Sequence, residues 1–196
     1  MFPGVVIPIT VGRDKSIALM REAYRGDRTI GVVAQKDPDI EDPFESDLNR
    51  IGTVARLIKI LQMPDGNTTA IIQGKKRFEM VEMVQKEPYF KAKVKAYEKE
   101  NEIQNQEVFE ALISSVKDIN IQIIEKSPAI PSEAAFALNN IESAFYLINF
   151  VSSNLKVDNG IKQMLLEMTD MEEKANKVLE LLTKDLQLLD LKQDIQ

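Results

Sequence analysis

Cysteine and histidine are both absent from the 196-residue chain. Without cysteine there are no disulfides, no zinc thiolate sites, no iron–sulfur clusters and no thiol nucleophile. Without histidine the usual general base is gone, and with it the Ser-His-Asp triad and the histidine-bearing metal motifs. No apolar run approaches the ~20 residues of a membrane span. Met1 to Thr10 is apolar but lacks a basic start and carries Pro3 and Pro8, so it makes a poor signal peptide. The cytoplasm is the expected compartment. Neither G-x-x-x-x-G-K-[ST] nor G-x-G-x-x-G occurs, so no phosphate cradle of known form is encoded.

What is present divides in two. Residues 1–100 hold 17 Lys+Arg against 15 Asp+Glu, and residues 101–196 hold 8 against 16. The acidic second half argues against a nucleic-acid footprint, which needs clustered cations. The first half reads as strands with one short helix. Val5, Ile7, Ile9 and Val11 alternate along an opening strand. Gly12 to Tyr24 predicts a turn and a helix with Asp14 as N-cap and Ile17, Met20, Ala23 and Tyr24 on one face. Thr29 to Gln35 predicts a short strand. Asp37 to Asp47, with six acids and two prolines, predicts a solvated loop.

Ile51 to Met63 and Thr68 to Val84 read as strands joined by the Pro64-Asp65-Gly66 turn, with a bend or bulge at Gly74. In the last strand Phe90, Ala92, Val94 and Ala96 point one way and Lys91, Lys93 and Lys95 the other.

The period changes after the polar stretch 98–107. Val108, Leu112, Val116, Ile119 and Ile123 predict one stripe of a long helix, ended by Pro128 and Pro131. Short helices are expected after Ser132, over Ile141 to Ser153 (with Ile141, Ala144, Phe145, Ile148 and Val151 on one face), and over Asp158 to Met168. Thr169 and Glu172 suit a capping box for a final helix. Ala175, Leu179, Leu182, Leu186 and Leu189 give that helix a heptad stripe, with Leu181, Leu188 and Ile195 as a second line. The helix either packs in a bundle or has an end that meets something outside this chain. It shows no Gly or Pro stop, as expected of a helix that continues.

Chemical motifs are sparse. Ser114-Ser115-Val116-Lys117 fits S-x-x-K but has no companion motif. The acidic loop lacks the glycine of a calcium loop. Lys75-Lys76-Arg77-Phe78 is a basic run whose members a strand sends to alternate faces. Met63, Met80 and Met83 lie on or beside the long hairpin, with Phe78, Met80 and Val84 on one face and Val81 and Met83 on the other. They read either as core filling or as an apolar strip suited to varied partners, because methionine adapts its shape.

Several segments together resemble the N-terminal domain of the Lon family of ATP-dependent proteases. They are F-P-G-V-V-I-P-I-T-V-G-R-D-K-S (Phe2 to Ser16), V-V-A-Q-K-D (Val32 to Asp37), I-G-T-V-A-R (Ile51 to Arg56), P-D-G (Pro64 to Gly66), Q-G-K-K-R-F (Gln73 to Phe78) and K-Q-M-L-L-E-M-T-D (Lys162 to Asp170). Their order and gaps match over nearly the whole chain. Two departures stand out. The family usually has an L-P-L-R type strand before F-P-G; without it an edge is left for domain swapping or added-strand pairing. The family often carries aspartate where Asn149 lies.

The resemblance implies an α+β fold. A β-rich, PUA-like barrel or sheet subdomain with a short helix spans 1–100, and a helical bundle ending in a long helix spans 101–196. It implies a module that recognises substrate and supports assembly. Such a module is not itself an enzyme and has no cofactor of its own. ATP and magnesium belong to an ATPase domain, and the serine–lysine site to a protease domain, neither of them in this chain. The implied partners are unfolded or damaged proteins, the rest of the Lon polypeptide and a homo-hexamer, with no membrane and no nucleic acid. Candidate substrate contacts are the adaptable apolar Phe78, Met80 and Met83 and the charged turn Arg13, Asp14 and Lys15. The alternative is a stand-alone PUA-like module that binds protein, a small ligand or RNA.

Overall fold

The computed structural model describes residues 1–195. Two compact units divide the chain, Met1–Glu98 and a second beginning at Lys99. The first contains β1 (Val6–Val11), α1 (Asp14–Arg25), β2 (Thr29–Val32), β3 (Ile51–Gln62), β4 (Thr68–Gln85) and β5 (Lys91–Ala96). The second contains α2 (Gln106–Lys126), α3 (Glu133–Asn139), α4 (Ala144–Asn154), α5 (Asn159–Glu167) and α6 (Met171–Ile195). The α+β expectation, an antiparallel sheet followed by helices with a long one last, holds.

The sheet runs β1-β4-β3-β2, with β5 also on β4. β4 is long enough to serve three partners. β3 takes one edge; on the other, β1 pairs with Thr68 to Gln73 and β5 with Phe78 to Gln85. The β3–β4 hairpin closes through Pro64-Asp65-Gly66, with Gly66 at φ +89° and its N–H bonded to Met63 C=O at 3.0 Å. Gly74 sits beside the predicted bulge, where the β3–β4 register shifts. The bend lets the N-terminal segment cross closely: Gly4 N–H reaches Gly74 C=O and Gly74 N–H reaches Val5 C=O, both at 2.9 Å.

Alternation works as expected in β1, where Val5 and Val11 are buried and Val6, Pro8 and Thr10 face solvent. Val11, Met20, Ile30, Ala55, Leu57 and Ile72 form a core between sheet and α1. Burying Leu57 or Ile72 completely stabilises the unit by about 1.5–3 kcal/mol each. A second cluster is built on Leu48, Phe78 and Met80.

Local expectations need four corrections here. Arg13 is the N-cap of α1, and Asp14 is its first helical residue, placed to meet the helix dipole. Tyr24 is exposed and stacks under Arg28 (4.4 Å) rather than joining the core. β2 stops at Val32, and Gln35 makes only an isolated bridge to Leu48. Val94 and Ala96 of β5 are exposed although they share a side with Phe90 and Ala92.

In the second unit α2 and α6 are the long elements. Asn105 caps α2 through its side chain to Val108 N–H (3.2 Å), and Ser143 and Asp158 cap α4 and α5 the same way. The buried residues of α2 are Phe109, Val116, Ile123 and Ile124; Val108 is exposed, so the stripe is displaced at its start. Phe145 is half out, resting on Phe109 with centroids 6.4 Å apart. Asp170, not Thr169, caps α6, accepting from Glu173 N–H at 3.0 Å. Glu172 instead accepts from Asn105 N–H at 2.9 Å, so the predicted box partner anchors the start of α2. Met171, Ala175, Val178 and Leu182 are the buried line of α6, and beyond them Leu188, Leu191 and Ile195 are exposed. Lys174, only 2% exposed, donates to Asn149 Oδ1 at 2.9 Å.

Candidate functional site

The first unit contains an apolar groove of about 810 Å³, in the range of ligand pockets. Phe78 and Met80 from β4 and Val54 from β3 lie in its floor. Gly31, Val32 and Val33 line it from the β2 side, and Phe90, Ala92 and Val94 from the β5 side. Residues of α1, among them Leu19, Met20 and Ala23, also line it. Two glycines set the floor. A Cβ at Gly52 would come 2.9 Å from Phe78 Cζ and 2.3 Å from Val32 C=O; one at Gly31 would come 3.2 Å from Phe78 Cζ. Only bare backbone leaves room for the ring there.

Met83 reaches the groove through a correction to the register. Strict alternation sends Met80 and Met83 to opposite faces. Met80 pairs with Val94 and Glu82 with Lys93, so Val81 is one residue too many for β5. The bulge restores Met83 to the side of Met80. A second insertion at Val84 follows, before Gln85 pairs with Lys91. Val81 and Val84, at 50% and 52% exposure, are the residues turned out.

Charged side chains pair at the rim. Lys15 of α1 bridges Asp42 at 3.6 Å and Glu87 at 3.0 Å. Glu22 of α1 accepts a hydrogen bond from Tyr89 OH and pairs with Lys91 at 3.6 Å. The Tyr89 bond holds the Glu22 carboxyl below its ordinary value; partial desolvation opposes this and the Lys91 charge adds to it. The same bond raises the Tyr89 phenol, and the bond to Glu87 raises Lys15. These contacts tie α1 to the acidic loop and to the β4–β5 turn.

The candidate contacts fall out as follows. Phe78 and Met80 are 4% exposed and belong to the core as well as to the groove floor, and Met83 is half-buried in the wall. Arg13 and Lys15 line the same groove; Asp14 is exposed in the first turn of α1 and does not. The sequence does not single out the β2 wall, Tyr89 or Glu22. Alternation puts Phe90, Ala92 and Val94 on one face, but nothing in their spacing signals a groove.

Other candidates have structural explanations. Arg77 of the basic run is buried, donating to Glu98 C=O at 2.7 Å and lying 4.8 Å over the Tyr97 ring. Lys117 of S-x-x-K donates to Ile141 C=O at 2.7 Å. Among the described residues no group of three or more His, Cys, Asp or Glu is placed to hold a metal ion. A shallower concavity of about 460 Å³ lies beside the exposed Phe44, between Lys36, Arg50 and Lys86. No described helix is long and apolar enough to cross a membrane.

This architecture is that of solved Lon N-terminal domains. The N-terminal domain of Mycobacterium avium complex Lon protease matches with a TM-score of 0.70, covering 93% of this chain and 91% of that one at 18% identity. The Lon N-terminal domain protein from Xanthomonas campestris matches with a TM-score of 0.63 at 16% identity, covering 92% and 91%. Sequence carries the assignment further. Residues 1–184 match the family described as the ATP-dependent protease La (LON) substrate-binding domain, and the chain belongs to that family. The Lon protease of Flavobacterium johnsoniae is 52% identical over 196 residues, and that of Parabacteroides distasonis 39%. Each alignment covers 100% of this chain and 24% of the relative, so the chain spans about a quarter of their length.

Proposed function

We propose that this chain is the substrate-recognition and assembly portion of an ATP-dependent Lon serine protease. It captures unfolded or damaged protein segments in the β2–β5 groove. It then helps deliver them to ATPase and protease domains elsewhere in a hexameric cytoplasmic enzyme. In this reading the chain hydrolyses nothing; ATP and magnesium act at the ATPase domain. The observation that carries the reading is an open apolar groove in a domain of a substrate-binding family. Unfolded chains differ from folded ones in displaying apolar side chains, and a groove floored and walled by Phe78, Met80 and Met83 selects for that display. Methionine accommodates varied side chains, as a receptor for many sequences requires.

The test uses wall residues. Met80→Asp would bury an unpaired carboxylate and damage the core, so it is a poor probe. Met83→Asp combined with Val94→Asp alters half-buried and exposed positions. Binding of a permanently unfolded, fluorescently labelled protein is expected to weaken at least about 10-fold, with native circular dichroism. Unchanged affinity with native circular dichroism would remove the groove from substrate capture.

A further inference from the structure

The groove lies between an edge of β2 and an edge of β5. Among the described residues β2 pairs only with β3, and β5 only with β4. An antiparallel ladder turns alternate residues inward, so one inter-strand hydrogen bond fixes the direction of the rest. Leu57 N–H bonds Arg28 C=O at 2.7 Å and Asn49 N–H bonds Ala34 C=O at 3.0 Å. Residues 28, 30 and 32 therefore face β3 and residue 34 faces the segment leading into it, so the backbones of Gly31 and Val33 face away. Thr29 agrees: its N–H is taken by the Asp27 side chain at 2.9 Å. On β5, Tyr97 N–H bonds Arg77 C=O at 3.3 Å, which turns the backbones of Ala92 and Val94 away from β4. Gly31, Val33, Ala92 and Val94 all line the groove. Two rows of outward backbone groups thus border an apolar floor, which is the surface an extended chain complements and a compact ligand does not.

Charge narrows the occupant. At the rim Lys15 and Lys91 already have carboxylate partners, whereas Arg13 has no ion pair among the described residues. We propose that the slot between β2 and β5 binds one extended segment of a protein substrate as an added strand. The segment is hydrogen-bonded to both edges, its alternate apolar side chains rest on Phe78 and Met80, and an acidic residue meets Arg13. The proposal rests on the reading of the groove as the capture surface and specifies how capture works. It also accounts for the exposure of Val94, an apolar wall residue that an added strand would cover.

The probe is a capped seven-residue peptide alternating threonine and valine and ending in glutamate. The whole chain should bind it, and NMR should show the Gly31, Val33, Ala92 and Val94 amides protected from exchange. N-methylation of the peptide amides that face one edge should weaken binding at least about 10-fold, since it removes donors while keeping the side chains. Replacing the glutamate by lysine should weaken binding about threefold, and Arg13→Glu should reverse that order. Equal binding of the N-methylated peptide, or no added amide protection, overturns the added-strand mode. If unfolded protein is still lost on Met83→Asp with Val94→Asp, the capture reading stands without it. Protection of the same amides without peptide, with a dimer mass by light scattering, would mean a second copy fills the slot and would also overturn the proposal.

Discussion

Glu22 shows how one side chain joins three elements: from α1 it meets Tyr89 and Lys91, at the turn into β5 and its start. Its lowered carboxyl value makes it a stability element with a definite pH window. The ordinary value is 4.5, so the contribution is fully present above that pH and disappears as pH falls through the lowered folded value. Tyr89 and Lys15 are raised from 10.0 and 10.5, so their contributions are full below those values and fade as pH rises through the raised ones. Glu22→Gln is therefore expected to lower Tm most near neutral pH, with the difference from the parent shrinking in the acid limb. Thermal unfolding at a series of pH values reads this; a difference independent of pH would refute it. At this scale the sequence singles out Arg13, Asp14, Lys15, Phe78, Met80 and Met83, because charged turns and methionines stand out locally, and all but Asp14 line the groove. It does not single out Glu22 or Tyr89, which are 67 residues apart and have meaning only together.

Among the elements, β4 carries the architecture, and its irregularities matter more than its length. The bend at Gly74 was legible because a glycine inside a strand pattern marks close backbone approach. A Cβ there would lie 2.3 Å from Phe2 C=O and 3.1 Å from the Phe2 carbonyl carbon. Gly74→Ala should thus cost about 1–3 kcal/mol in urea unfolding, the usual range for overpacking. Gly12→Ala, with nothing within 4 Å of the added carbon, should stay within about 0.5 kcal/mol of the parent. The bulges at Val81 and Val84 were not legible. An inserted residue exists only relative to a partner strand, and the partner here is β5. The same holds for helices: Phe109 rather than Val108 faces inward because of what α2 packs against, which its own periodicity does not specify.

For the whole molecule, every residue lining the groove belongs to the unit Met1–Glu98. Its binding should therefore survive separation. A fragment of residues 1–98 is expected to bind the unfolded protein within about threefold of the intact chain, measured by fluorescence anisotropy. That is well under the 1.4 kcal/mol that a tenfold change represents. Loss of binding in a folded fragment would place essential contacts in the second unit.

Sequence alone determined the kinds and order of the elements, since periods of two and near 3.6 are written in consecutive residues. It also determined the family, through short motifs in a shared order. The tertiary structure decided what the groove is: which edges stay open, which face Met83 occupies, which rim charges find partners. Those properties depend on residues far apart in the chain, and their geometry comes into being only when β2, β5 and α1 are brought around the same floor.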